Sequence, residues 1–285
     1  MTPATRPNVL AGGTVWALLA RLLCCVAIGT GLAGCVNKTG APATVSTAGN
    51  GADLVTDSDE SNSRKRARIR LELAIGYYEQ GQTTVALDEI KLSLAADPTY
   101  AEAYNLRGLV YMRLEDAGLA EDSFRRAIAL NPRDANTLHN YGWLLCQQQR
   151  YGDAAAQFTR TLAIPNYTDR PKTLMAQGVC QGKAGQPVEA ERSLTQAYEL
   201  DPSNPVVGYN LAALLVQREQ LMRAQFYIRR VNNSLSANAE SLWLGLKIER
   251  LLNNKEALAQ LVGQLQRRFP QSREAIAYER GNFND

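Results

Sequence analysis

The sequence AEAYNLRGLVYMRLEDAGLAEDSFRRAIALNPRD, residues 101–134, decides the fold of this chain. Its closing Pro132 lies 34 residues after Pro98. Pro132 and Pro202 are 70 residues apart, and Pro202 and Pro270 are 68 apart, so each interval holds about two such periods. A recurring period of about 34 residues is the signature of stacked helix pairs. Such a stack offers a long surface to other proteins and has no natural active-site cleft.

Positions inside this unit recur in phase along the chain. When the closing proline is numbered place 32, place 8 is small, place 20 is alanine and place 24 is a larger apolar residue. Place 8 is Ala74, Gly108, Gly142, Gly178 and Ala212; place 20 is Ala86, Ala120, Ala154, Ala190 and Ala224; place 24 is Ile90, Phe124, Phe158, Leu194 and Ile228. Antiparallel helices cross closely at small residues, and a larger residue fills the gap beside them. The third unit needs a two-residue insertion near Asn166 and Tyr167.

This pattern resembles the tetratricopeptide repeat family over about residues 67–270. The resemblance implies an all-α fold, a tetratricopeptide repeat solenoid of about six antiparallel helix pairs. We place the repeat array at residues 64–272 and a C-terminal cap or tail at residues 273–285. The sixth unit is degenerate, with Trp243 on its first helix.

The N-terminal residues 1–34 do not belong to the array. Arg6 and Arg21 accompany a short apolar core, which ends in the sequence Leu-Ala-Gly-Cys at residues 32–35. This order predicts a cleaved secretory signal peptide. Its ending resembles the lipobox of bacterial lipoproteins, which implies that Cys35 carries acyl chains such as palmitate. An uncleaved membrane anchor over residues 9–34 is the alternative.

Residues 35–63 are rich in Ala, Thr, Gly, Ser and Asn and show no apolar periodicity, so we predict an acylated, disordered and flexible tether. Val36 stands where bacterial lipoproteins retained in the inner membrane favour Asp. The resemblance therefore implies a lipid-anchored protein in the bacterial outer membrane, facing the periplasm. The basic run at residues 64–70 either contacts anionic lipid head groups or is a solvated helix start.

Composition argues against several other classes of protein. The chain has 285 residues and a formal net charge of +3, whereas nucleic-acid binding usually demands a strongly basic face. The single histidine, His139, has no second ligand at metal spacing. We see no clustered nucleophile, acid or base and no glycine-rich phosphate loop. We therefore expect no enzyme, no cofactor, no metal and no small-molecule substrate.

In tetratricopeptide repeat proteins the concave surface is lined mainly by the first helix of each unit. The resemblance implies a partner groove made of residues from five units. They are Ile75, Tyr78, Asn105, Leu109, Met112, His139, Trp143, Met175, Val179 and Tyr209. Their apolar character fits an extended apolar or amphipathic protein segment as ligand. Each of them can instead be a core residue at helical spacing.

Two cysteines lie on the first helices of adjacent units. Cys146 occupies place 12 of the third unit and Cys180 place 10 of the fourth. An oxidising compartment favours a disulfide between them, and that bond needs Cα atoms within about 7 Å. Two separate buried thiols are the alternative, because the two places are offset.

The order of the parts resembles the pilotin family of type IV pilus biogenesis and stability lipoproteins. The sequences AEAYNLRG at residues 101–108 and HNYGW at residues 139–143 carry this resemblance. It implies binding of the pilus secretin, with localisation of the secretin to the outer membrane and its assembly into multimers. A repeat lipoprotein scaffold for outer-membrane protein assembly or peptidoglycan enzymes is one alternative. An accessory hydrolase with a site in residues 236–285 is another.

Overall fold

The computed structural model describes residues 60–283, which belong to one compact unit. All regular structure in that range is helical, in thirteen α-helices, so the predicted all-α class is confirmed. None of these helices combines the length and the apolar character that crossing a bilayer requires. The predicted signal peptide and Cys35 lie outside the described residues, as does most of the predicted tether.

Twelve of the thirteen helices form six consecutive antiparallel pairs, as the repeat pattern predicts, and the last helix follows the sixth pair. The helices are α1 (Asn62–Glu79), α2 (Thr83–Ala96), α3 (Ala101–Arg113), α4 (Ala117–Leu130), α5 (Ala135–Gln147), α6 (Tyr151–Leu162), α7 (Arg170–Lys183), α8 (Pro187–Leu200), α9 (Pro205–Gln217), α10 (Leu221–Asn232), α11 (Ala239–Leu251), α12 (Lys255–Arg268) and α13 (Arg273–Glu279).

The helices of each pair pack closely because place 8 carries no large side chain. A Cβ atom added to Gly108 would lie 2.5 Å from Phe124 Cε1, and one added to Gly142 would lie 2.8 Å from Phe158 Cε1. The five alanines at place 20 are all fully buried. In these two units the aromatic ring at place 24 therefore occupies the space that a side chain at place 8 would need.

Each turn inside a pair is closed by a residue with positive φ. The six residues are Gly81, Glu115, Gln149, Gly185, Glu219 and Asn253, with φ between 56° and 77°. The next residue donates its N–H back into the first helix, as Asp116 N does to Tyr111 O at 3.0 Å. This left-handed cap satisfies carbonyl groups that the helix end would otherwise leave unpaired.

The stacking direction places the first helices on the inside of the array. Each first helix contacts the first helix of the next unit, from α1 with α3 to α9 with α11. Within residues 60–283 the backbones of second helices do not approach one another in the same way, although α8 and α10 meet through side chains such as Tyr198 and Tyr227. An array whose first helices are closer together than its second helices curves toward the first helices, which therefore line its concave side.

Candidate partner-binding groove

Nine of the ten predicted groove residues lie on first helices with partly exposed side chains. They are Ile75, Tyr78, Asn105, Leu109, Met112, Trp143, Met175, Val179 and Tyr209. We call these nine residues the groove residues. Ile75 is the most open of them, at 40% exposed.

Most groove residues are packed on one side and open on the other. Leu109, Met112 and Trp143 pack against the core cluster that contains Phe124 and Phe158. Met175, Val179 and Tyr209 pack in the same way against a second core cluster, to which α8, α9, α10 and α11 contribute. The two interpretations left open by the sequence therefore both hold in part, because these side chains complete the core and also present apolar surface.

Contacts between neighbouring first helices fix several groove residues in place. Asn140 Nδ2 donates to Asn105 Oδ1 at 3.0 Å, which joins α5 to α3. The guanidinium carbon of Arg113 lies 3.8 Å from the ring centroid of Tyr78, and the same guanidinium donates to the Tyr78 carbonyl. A cation held over an aromatic face is attracted by the ring's negative quadrupole. These contacts orient groove side chains before any ligand arrives, which lowers the entropic cost of binding.

His139 was wrongly predicted to line this groove. Its side chain is buried, with 6% exposed, and its Nδ1 lies 2.9 Å from Thr173 Oγ1. Thr173 Oγ1 in turn lies 2.8 Å from the hydroxyl of Tyr167, in the connection that holds the predicted insertion. Because Tyr167 and Thr173 cover the histidine, place 5 of this unit is closed, whereas the same place holds partly exposed Asn105 in the preceding unit.

Burial also changes the acid–base behaviour of His139. The pKa of the imidazole is lowered from 6.5 to about 4, mainly by desolvation and to a smaller extent by the positive charge of Lys172. Asp169 acts in the opposite direction and does not compensate. The imidazole is therefore neutral at pH 7 and serves as a structural hydrogen-bonding group between α5 and α7.

Cys146 and Cys180 form a disulfide that joins the same two helices. Their Cα atoms are 5.8 Å apart, and the bond closes a loop with a sequence separation of 34. A loop of this size stabilises a fold by about 3–4 kcal/mol in the chain-entropy model. The offset in repeat places does not separate the two residues, because the two-residue insertion in the third unit leaves them 34 residues apart, which is one ordinary repeat period.

A pocket at the C-terminal end of the concave side was not found from the sequence. It has a volume of about 400 Å³ and is formed by α9, α11 and α13. Its lining residues include Tyr209, Trp243, Lys247 and Arg273. The hydroxyl of Tyr209 donates to Glu240 Oε1 at 2.8 Å, and burial raises the pKa of that tyrosine. The sequence indicated Trp243 only as part of a degenerate first helix. The pocket itself was missed because α13, which closes it, follows the last repeat and has no counterpart in the other units.

The chemistry available along the groove is that of binding. Its surface is apolar and aromatic, with cations such as Lys183 near its aromatic rings; Lys183 Nζ lies 5.6 Å from the ring centroid of Trp143. Within residues 60–283 no three His, Cys, Asp or Glu side chains are grouped to hold a metal ion. An extended protein segment with apolar side chains matches this surface.

Comparison with known proteins finds the same repeats and similar chains elsewhere. Tetratricopeptide repeat models match residues 99–166 and residues 183–242. The type IV pilus assembly protein PilF of Pseudomonas aeruginosa is 27% identical over 247 residues, which are 87% of this chain and 93% of that protein.

Two solved structures resemble the whole array. The crystal structure of PilW, a widely conserved type IV pilus biogenesis factor, is 30% identical with a TM-score of 0.70; the match covers 75% of this chain and 98% of PilW. The structure of Pseudomonas aeruginosa PilF is 24% identical with a TM-score of 0.68, covers 78% of this chain and 100% of that one, and shows the shared fold.

Proposed function

This chain belongs to the tetratricopeptide repeat proteins of type IV pilus biogenesis, and on that premise we propose that it is a pilotin. It binds the pilus secretin through the groove residues and promotes the localisation of the secretin to the outer membrane and its assembly into multimers. The protein breaks and forms no covalent bond in this role. The observation that carries the proposal is the row of half-buried apolar side chains along successive first helices.

The groove residues suit a long, extended ligand. Leu109, Met112 and Trp143 form one apolar section, and Met175, Val179 and Tyr209 form the next. An extended segment that touches both sections gains many weak contacts along its length. Because the packed sides of these residues are already ordered, binding costs little additional side-chain entropy.

Attachment to the outer membrane is the second half of the proposal. Cys35 ends a lipobox-like sequence, and acylation there supplies the anchor. Two or more acyl chains hold a protein on a membrane durably, whereas one chain holds it marginally. The disulfide between Cys146 and Cys180 fits the periplasm, since disulfides persist in oxidising compartments.

Removal of two large groove side chains tests the groove. Met112→Ala combined with Trp143→Ala takes apolar surface from the section between α3 and α5, so we expect at least tenfold less secretin to co-purify with the protein. Secretin multimers, measured by gel electrophoresis without boiling, should fall in parallel. Circular dichroism checks that the variant remains folded.

The matched control removes the same kinds of side chain from a second helix. Met222 and Phe226 on α10 are 68% and 60% exposed. Met222→Ala with Phe226→Ala should leave secretin capture and multimers unchanged. Equal losses in both double variants, or no loss in the groove variant, would contradict the assignment of the concave side.

The anchor has its own test. Cys35→Ser removes the thiol that acylation requires, so we expect the protein to leave the outer-membrane fraction and secretin multimers to decline. Metabolic labelling with a palmitate analogue should mark the wild-type protein and leave the variant unlabelled. Normal outer-membrane fractionation of the Cys35→Ser protein would refute the lipobox assignment.

A further inference from the structure

The first helix has an uncovered face directly opposite its buried one. Ala67, Leu71 and Ala74 are buried against the neighbouring helices. Lys65, Arg66, Ile69 and Leu73 recur at three- and four-residue spacings, which bring them together on the other side of α1. We call these four residues the outward face of α1. Ile69 and Leu73 are each 45% exposed.

The basic run that opens α1 divides into paired and unpaired cations. Arg64 Nε lies 2.7 Å from Asp97, and an Nη atom of Arg70 lies 3.0 Å from Glu89. Arg68 lies 3.1 Å from Glu60 and 3.0 Å from Glu72, so those two carboxylates are also occupied.

Lys65 and Arg66 are the remaining cations of the run. Both are exposed, and neither has a carboxylate within ion-pair distance among the described residues. The unpaired positive charge of the run therefore lies on the outward face of α1, beside Ile69 and Leu73.

Nothing in residues 60–283 covers the outward face. Helix α1 contacts only α2 and α3 within the described residues. The chain that leads to the fold enters at α1, and Cys35 precedes that helix by 27 residues. This face is therefore the part of the array nearest in sequence to the proposed anchor.

We propose that the outward face of α1 binds the surface of an anionic phospholipid bilayer. Lys65 and Arg66 pair with lipid phosphates, while Ile69 and Leu73 enter the boundary between head groups and acyl chains. The proposal rests on the proposed function only for the choice of membrane. Contact at α1 would orient the array on the membrane, which an anchor at Cys35 alone does not do.

Charge favours a lipid surface over a second copy of the chain. A symmetric dimer through this face would bring the Lys65 and Arg66 of both copies together, and four cations in one interface repel one another. An anionic bilayer instead pairs each cation with a phosphate. Two apolar side chains are also few for a stable protein interface, whereas a tethered membrane contact needs only modest affinity.

The test uses residues 55–285, a fragment that lacks Cys35 and contains every described helix of the compact unit at residues 60–283. Binding is measured by co-sedimentation with vesicles that mix phosphatidylglycerol with phosphatidylethanolamine, at low salt. Vesicles of phosphatidylcholine alone are the neutral comparison. We expect binding to the anionic vesicles only, weakening as salt is added.

Lys65→Gln with Arg66→Gln should weaken this binding about thirtyfold, because each basic residue near an anionic surface strengthens binding roughly fivefold. Ile69→Ser with Leu73→Ser should weaken it about tenfold, from lost insertion of apolar surface. The matched control, Lys255→Gln with Arg267→Gln, removes two exposed cations from α12 and should change binding less than twofold.

Three results would overturn the proposal. One is an equal loss in the α12 control, because attraction would then follow net charge rather than this face. Another is undiminished binding of both outward-face variants. The third is a dimer, detected by light scattering without lipid, that the Ile69→Ser with Leu73→Ser variant abolishes. No acyl chain or secretin takes part in the assay, so its outcome is separate from that of the pilotin proposal.

Discussion

The two ends of the repeat array are finished in opposite ways. At the C-terminal end, α13 packs on α11 and α12, and Phe283 stacks on Trp243 with ring centroids 5.4 Å apart. Ala275 on α13 is 1% exposed there. At the N-terminal end, α1 leaves Ile69 and Leu73 open beside two unpaired cations.

The two ends differ in what covers their apolar surface. A solenoid needs a capping element at each end because an end repeat lacks one neighbour. The C-terminal end satisfies that need with the chain's own residues, which also close the 400 Å³ pocket beside Tyr209. At the N-terminal end the described residues leave one face of α1 open, and we propose that the membrane covers it.

The same substitution at both ends should give very different losses of stability. Leu246 on α11 is fully buried at the capped end, so Leu246→Ala should lower the free energy of unfolding by about 2–5 kcal/mol. Leu73→Ala on α1 removes an exposed side chain and should change it by less than about 0.5 kcal/mol. Urea unfolding followed by circular dichroism measures both variants.

Hydrogen exchange shows which helices lose stability in each of these two variants. Leu246→Ala should increase exchange in α11, α12 and α13 first, because repeat arrays lose stability locally. Similar losses for Leu246→Ala and Leu73→Ala would mean that the N-terminal end is covered in solution, and the contrast between the ends would be wrong.

Acid should lower the free energy of unfolding by weakening the contact between α5 and α7 in the middle of the array. His139 joins α5 to α7 as a neutral imidazole, with its pKa lowered to about 4. The unfolded chain binds a proton near pH 6.5, so the stabilisation is complete above that pH and is lost as pH falls from 6.5 toward 4. The expected loss is about 2–3 kcal/mol, measured by urea unfolding at a series of pH values.

The control for this pH dependence is His139→Gln, which can still hydrogen-bond to Thr173 and does not titrate. It should flatten the stability profile between pH 6.5 and pH 4 while the wild type keeps its slope. An identical slope in both proteins would assign the effect to groups other than His139.

The sequence predicted what repeats and missed what occurs once. Gly108, Ala120 and Phe124 recur at fixed places because every pair must solve the same close crossing, so their roles were visible. The stacking of Phe283 on Trp243 has no counterpart in another unit, so the repeat period does not predict it. The pocket at the C-terminal end was missed for the same reason.

The groove shows a second limit of the sequence. Place 5 is partly exposed at Asn105 and closed at His139, although each is the fifth residue of a regular first helix. The difference comes from Tyr167, which lies in the connection between α6 and α7, where the insertion falls, and whose hydroxyl contacts Thr173 beside the histidine. Helical spacing gives the direction of a side chain, whereas its exposure depends on a neighbour that spacing does not identify.

The smallest expected contrast between the ends lies in their turns. The first pair closes with Gly81 at φ 77°, and the sixth closes with Asn253 at φ 56°. A Cβ at Gly81 meets nothing within 4 Å, so Gly81→Ala tests backbone conformation alone and should cost about 1 kcal/mol. Asn253→Gly should change stability by less than about 0.5 kcal/mol, since asparagine tolerates the left-handed region. Thermal unfolding of both variants measures the two effects. If Gly81→Ala proved neutral, the first turn would be free to leave its left-handed conformation. The N-terminal end would then be less rigid than the left-handed residue in each of the six turns implies.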